Sequence, residues 1–144
     1  MKKNKNDGTL VFKENFEKYD NLKDFQSLKA WMKCREIKLY FYQIILPKLP
    51  KEENFVLGTQ IRRAAISVTS NIAEGYGRYH YQEGIRFYRI SRASLYELKD
   101  HLVSCLDFNY VTEIEYYDGI ILIEEGKRLL NGYINYLGKK IKKN

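Results

Sequence analysis

The sequence predicts an all-α protein, an antiparallel up-down-up-down four-helix bundle built from residues 25–138. Three observations carry that expectation. Large apolar residues recur at the spacing of one helical face in four successive stretches. Short breakers part the stretches: Leu46-Pro47-Lys48-Leu49-Pro50, then Gly75-Tyr76-Gly77-Arg78, then the segment leading into Thr112. No internal repeat or low-complexity tract divides the 144 residues, and short links make neighbours antiparallel. At 44% hydrophobic residues, a single domain of this length can bury a real core.

Residues 1–24 read as a largely flexible N-terminal extension, polar and lysine-rich at its start. Its apolar cluster, Leu10, Val11, Phe12 and Phe16, is too short for a domain. The first helix is expected over Gln26–Leu46, with Ala30, Cys34, Ile37, Phe41 and Ile45 on one face. Trp31, Arg35, Lys38 and Tyr42 form an adjacent stripe, either packing periphery or a subunit contact. Pro47 and Pro50 stop this helix.

The central helix follows, with Ile61, Ala65, Val68 and Ile72 on one face and Arg63, Ser67, Ser70 and Glu74 opposite. Ala64, Ile66, Thr69 and Ala73 lie between, so neighbours can approach on more than one side. Gly75 and Gly77 are expected to end it in a left-handed cap. The third helix is expected over Tyr81–Asp107, with Phe87, Ser91, Ser94, Leu95, Leu98, Leu102 and Cys105 inward. Its serines should face the small residues of the central helix. Thr112 and Glu115 have the spacing of a capping box and start the fourth helix. Gly119 and Gly126 on its inner side suggest close approach of another backbone. That helix is expected to dissolve into a basic tail at 139–144.

The formal charge of +7 sits at the ends. Lys2, Lys3 and Lys5 open the chain; Lys127, Arg128, Lys139, Lys140, Lys142 and Lys143 close it with no acid among them, which leaves residues 7–126 at −2. A basic stripe on the third helix, Arg86, Arg89, Arg92, Tyr96 and Lys99, suits phosphate contact and base stacking, or is a solvated surface paired with neighbouring acids. Arg62, Arg63, Asn71 and Glu74 read as a structural polar network or a subunit contact.

Catalytic and metal-binding residues are not expected. His80 and His101 have no i+4 histidine, CxxC or HExxH neighbour. There is no GxSxG elbow, and Gly75-Tyr76-Gly77-Arg78 lacks the Lys-Ser/Thr of a phosphate-binding loop. No cofactor is implied. Cys34 and Cys105 read as reduced core thiols of a cytoplasmic protein, and no apolar run reaches the roughly 18 residues of a membrane span.

Phe25–Leu28 into Trp31, Gln60-Ile61-Arg62-Arg63-Ala64-Ala65, Ser70-Asn71-Ile72-Ala73-Glu74-Gly75, the stretch Ile85–Leu102 and Leu130–Ile134 together resemble the 23S rRNA intervening-sequence protein family over about 25–138. The resemblance implies a small left-handed bundle assembled as a ring-like homopentamer. It is also distantly similar to the accessory variability proteins of diversity-generating retroelements, which work with a reverse transcriptase and its template RNA. Thr69 stands where the family usually has proline, so a mid-helix kink loses its basis. The family supplies no reaction.

Two functions stand ahead of a small-molecule enzyme. The first is a non-enzymatic oligomeric accessory protein that binds RNA or DNA through Arg86, Arg89, Arg92, Tyr96, Lys99, Lys139, Lys140, Lys142 and Lys143. The second is a protein-interaction scaffold for a partner such as a polymerase, using Trp31, Tyr42, Tyr76, Tyr79 and Tyr81.

Overall fold

The computed structural model describes residues 24–143, and all regular structure within them is helical. The N-terminal extension, apart from Asp24, lies outside the described residues, as does Asn144. A 3-10 turn at Phe25–Ser27, capped by the Asp24 carboxylate on the Gln26 amide, leads into α1, Lys29–Tyr40. The chain then widens into a π turn at Phe41–Ile45 before Pro47, which has no N–H to give to the carbonyl four residues back. α2 spans Leu57–Tyr76, α3 Tyr81–Asp107 and α4 Glu113–Lys142.

Except near the start of α3, the apolar faces read from the sequence are the faces the fold buries. Ala30, Cys34, Ile37, Phe41 and Ile45 of the first segment meet Ile61, Ala65, Val68 and Ile72 of α2 in one core. Leu95, Leu98, Leu102 and Cys105 of α3, with Ile123 and Leu130 of α4, complete it. Each fully buried aliphatic side chain contributes about 1.5–3 kcal/mol.

The tightest contact is between α2 and α3. The Ser91 hydroxyl donates to the Val68 carbonyl at 2.6 Å, and the Ser67 and Ser94 hydroxyls lie 2.8 Å apart. This is the serine-to-small-residue packing expected from the sequence. At the end of α2 the backbones nearly touch: a Cβ on Gly75 would stand 2.8 Å from the Gly84 carbonyl oxygen. Elsewhere, Lys38 of α1 donates to the Thr69 hydroxyl at 3.1 Å, and Tyr40 donates to the Glu115 carbonyl of α4. Thr69 therefore ties α2 to α1 inside an unbroken helix.

Four expectations need correction. Gly75 lies inside α2 and Gly77, its cap, has φ −74°, so no left-handed residue ends that helix. The left-handed cap is on α3: Asn109 has φ 60°, with Tyr110 N–H on the Cys105 carbonyl at 2.9 Å and Asn109 N–H on Leu106 at 3.0 Å. Asparagine tolerates that conformation, and the two bonds satisfy carbonyls the helix end leaves open. On α3, Gly84, Ile85 and Tyr88 are buried while Phe87 stays half-buried, because α4 as well as α2 covers the first turns. Gly119 and Gly126 admit side chains, not a backbone: added Cβ atoms would meet Leu102 at 2.6 Å and Ile37 at 2.7 Å. Finally, α4 does not dissolve at 139 but runs through Lys142.

The capping box is formed as expected. The Thr112 amide donates to Glu115 Oε1 at 2.9 Å, and the Glu115 amide donates to Thr112 Oγ1 at 3.1 Å. Those bonds, led by the one from the Thr112 backbone, hold the Glu115 carboxyl below its ordinary range, with Lys48 assisting at 3.3 Å.

Candidate nucleic-acid interface

The α3 stripe does not face open solvent as one surface. Residues about a quarter-turn off the buried line of a helix lie along the seam with the next helix, and long basic heads reach across it. Arg92 donates to Asn131 Oδ1 of α4 at 2.8 Å. The Lys99 ammonium lies 2.9 Å from Glu124, which Lys127 also holds at 3.1 Å; these bonds lower the Glu124 carboxyl. Lys127 in turn sits 4.1 Å from the Tyr96 ring centre. Three of the five stripe residues are thus engaged along the seam. Arg86 turns to a separate hollow with Arg78, Glu83 and Phe87. A signal for the seam existed in the sequence: Glu124, Lys127 and Asn131 step by three and four, as Arg92, Tyr96 and Lys99 do in reverse.

Arg89 is different. It shares a groove of about 360 Å³ with Lys139 and Lys142 from the end of α4, over a floor of Ile85 and Ile134. Asn135 and Gly138 also line it, and no carboxylate among the described residues takes part. The continuation of α4 through the basic segment sets this geometry, because Lys139 and Lys142 are three residues apart on one helical face. Lys143 is exposed beyond them.

Lys140 points to the other side of α4, into a cleft of about 600 Å³. Tyr76, Tyr81, Tyr88, Tyr133 and Tyr136 line it, with Arg78 and His80 also contributing. The Tyr133 and Tyr136 rings lie 25° from parallel with centres 6.3 Å apart, and Tyr88 meets Tyr133 edge-on at 5.2 Å. Lys140 stands 4.8 Å from the Tyr136 ring centre and 5.8 Å from that of Tyr81. Burial pushes the Tyr88 and Tyr133 phenols up, so both remain protonated donors near neutral pH. In the sequence Tyr76 and Tyr81 read as part of an aromatic surface for a protein partner, whereas Tyr88, Tyr133 and Tyr136 gave no sign of a site.

The remaining candidates make local contacts. Arg62 donates to the Asn54 carbonyl at 3.0 Å and side chain at 2.7 Å; Arg63 donates to Gln60 at 2.6 Å. Asn71 donates to the Ser67 carbonyl at 2.9 Å, and Glu74 lies 3.9 Å from Arg78. They tie helix ends and neighbouring turns and do not meet as one network, since Arg63 and Asn71 are eight residues, about two turns of helix, apart. The scaffold aromatics are dispersed as well. Trp31 packs on Phe25 at 5.3 Å, Tyr79 sits beside His80 in the α2–α3 turn, and Tyr42 is in the π turn.

His101 lies 3.0 Å from Glu97 on its own helix. Among the described residues no group of three His, Cys, Asp or Glu side chains is placed to hold a metal ion, and no helix is long and apolar enough to cross a membrane. Cys34 and Cys105 are free and buried.

Four packed helices with a basic groove at one end define an all-helical protein of a small-domain class. The family profile described as 23S rRNA-intervening sequence protein matches residues 26–132, and the chain belongs to that family. No curated protein matches the chain.

Proposed function

We propose that the protein is a non-enzymatic, oligomeric accessory protein that binds RNA or DNA. The observation that carries this reading is the groove in which Arg89, Lys139 and Lys142 converge without an acid among its lining residues. Phosphate contacts need cations whose charge is not already neutralised, and these three meet that condition better than Lys99, which is paired with Glu124. Lys143 is exposed just beyond the groove and adds to its positive charge, while Arg86 is exposed in its separate hollow.

The fold belongs to the same proposal: an up-down-up-down bundle repeated in a ring-like homopentamer in the cytoplasm. The pairings Ser91 with Val68 and Ser67 with Ser94, and Arg92 with Asn131 and Lys99 with Glu124, support antiparallel neighbours. Exposed apolar side chains on each helix, such as Met32, Ile66, Ile90 and Ile121, support burial between copies. A ring would repeat the groove, so weak sites gain by effective concentration.

The test is a titration with single-stranded RNA at rising salt. Three phosphate contacts per protomer predict a log–log slope of about −2, a loss of about 20-fold between 50 and 200 mM salt for each protomer engaged. A slope near zero, or one unchanged by Arg89→Gln with Lys139→Gln and Lys142→Gln, refutes the reading. Native mass measurement tests the ring; a monomer would sink that part.

A further inference from the structure

We propose that the tyrosine cleft holds one unstacked nucleotide, its base on the tyrosine rings and its phosphate on Lys140 and Arg78. The inference rests on the nucleic-acid reading and names a second, chemically different site within it. The ligand chemistry is that of a nucleoside monophosphate, either free or as an unpaired residue of a strand.

Size comes first. At about 600 Å³ the cleft lies within the range of small-ligand sites, and it is roomier than the basic groove. Its walls come next. Tyr133 and Tyr136 present nearly parallel rings one helical turn apart, with Tyr81 across from them on α3. Rings of this kind stack on any base, because every base has a π face. Leu28 and Leu137 supply apolar edges, and the Tyr81 and Tyr136 phenols can donate to a phosphate or a base edge.

Charge selects an anion. Lys140 and Arg78 line the cleft, and no Asp or Glu among the described residues does. Among the described residues the carboxylate within 4 Å of Arg78 is that of Glu74 at 3.9 Å, with both side chains largely exposed, and the guanidinium rests 4.5 Å from the Phe87 ring centre. Such a pair contributes little and yields readily to a phosphate. Among the described residues Lys140 is held by ring contacts to Tyr81 and Tyr136 and by the Tyr136 hydroxyl, which raises its pKa and keeps it charged.

Position links the cleft to the groove. Lys139 and Lys142 face one side of the last turns of α4 and Lys140 the other. Between them His80, Tyr81, Gln82 and Ile141 line a small dip at the helix end. A strand lying on Arg89, Lys139 and Lys142 can therefore cross this end and place one base in the cleft.

The experiment uses the full chain with ring-labelled tyrosine, followed by NMR. It is titrated with adenosine and uridine 5′-monophosphate, the matching nucleosides, inorganic phosphate and a ten-nucleotide RNA. Expected are shifts of the Tyr81, Tyr133 and Tyr136 signals with both monophosphates, weaker ones with nucleoside or phosphate alone, and the same signals moving with the RNA. Tyr136→Leu should weaken monophosphate binding about tenfold or more, while Tyr136→Phe, which keeps the ring, binds nearly as the parent. Lys140→Gln should weaken the monophosphate more than the nucleoside.

The proposal is overturned if the cleft signals stay still, if Tyr136→Leu, shown folded by circular dichroism, binds as the parent, or if inorganic phosphate competes equally. RNA binding lost in the Arg89, Lys139 and Lys142 triple variant would then leave the groove reading standing; RNA binding unaffected in both sets of variants removes both. Monophosphate shifts without RNA shifts identify a free nucleotide as the occupant and overturn the strand-crossing arrangement.

Discussion

Consider alanine at two helical glycines, Gly75 in α2 and Gly132 in α4. In both helices alanine is intrinsically better by about 1 kcal/mol. At Gly132 an added Cβ meets nothing within 4 Å, so that gain should appear as higher stability. At Gly75 the same atom would lie 2.7 Å from the Tyr88 ring and 2.8 Å from the Gly84 carbonyl oxygen. Neither can step aside cheaply: Tyr88 is buried against Tyr133, and Gly84 belongs to the first turn of α3. Overpacking of this kind costs about 1–3 kcal/mol. Separating the helices also strains the Ser91–Val68 and Ser67–Ser94 bonds, each worth about 1 kcal/mol. The net expectation for Gly75→Ala is a loss of about 2 kcal/mol, or roughly 4–8 °C in Tm for a chain of this size. Gly132→Ala should gain roughly 2–4 °C. Urea and thermal unfolding at one fixed protein concentration measure both, the concentration being held because assembly would shift the midpoint. If Gly75→Ala unfolds at or above the parent midpoint with an unchanged urea slope, the close approach of α2 and α3 is wrong.

Other outcomes follow from single contacts. Ser91→Ala removes the buried hydroxyl bond to Val68 and should cost about 1 kcal/mol in urea unfolding; no change would mean the bond adds nothing to the α2–α3 contact. Thr112→Ala should cost about 1 kcal/mol at pH 7. Because Glu115 has a depressed pKa in the fold, its contribution is present above the ordinary value of 4.5 and is lost as pH falls through the lower folded value. The gap between Glu115→Ala and the parent should therefore shrink as pH falls below 4.5, and a constant gap would count against the box. Burial pushes the Cys34 thiol up to about 12 and the Cys105 thiol up to about 11, so neither should react with a thiol reagent at pH 8 until the protein unfolds. Rapid labelling of the native protein would contradict the core placement.

Helices, their inward faces and the Thr112 cap were readable because each depends on residues within one or two turns. The apolar line Ile61, Ala65, Val68 and Ile72 needs no partner to be recognised, and Thr112 finds Glu115 three residues away. Small residues on α2 likewise announced a close neighbour. Glycine was harder to interpret, since Gly75 can serve a cap or a contact and only the position of Gly84 tells which.

By itself, then, the sequence determined four helical segments, the faces they bury and the family to which they belong. The tertiary structure alone decided which basic residues remain available. Arg89 and Arg92 are three residues apart on one helix and look alike in the chain, yet Arg92 meets Asn131, thirty-nine residues away, while Arg89 opens onto Lys139 and Lys142. The physical reason is range. Periodicity and capping act along the backbone, whereas the partner of a long charged side chain is set by helix register, and register is fixed only when all the apolar faces pack together.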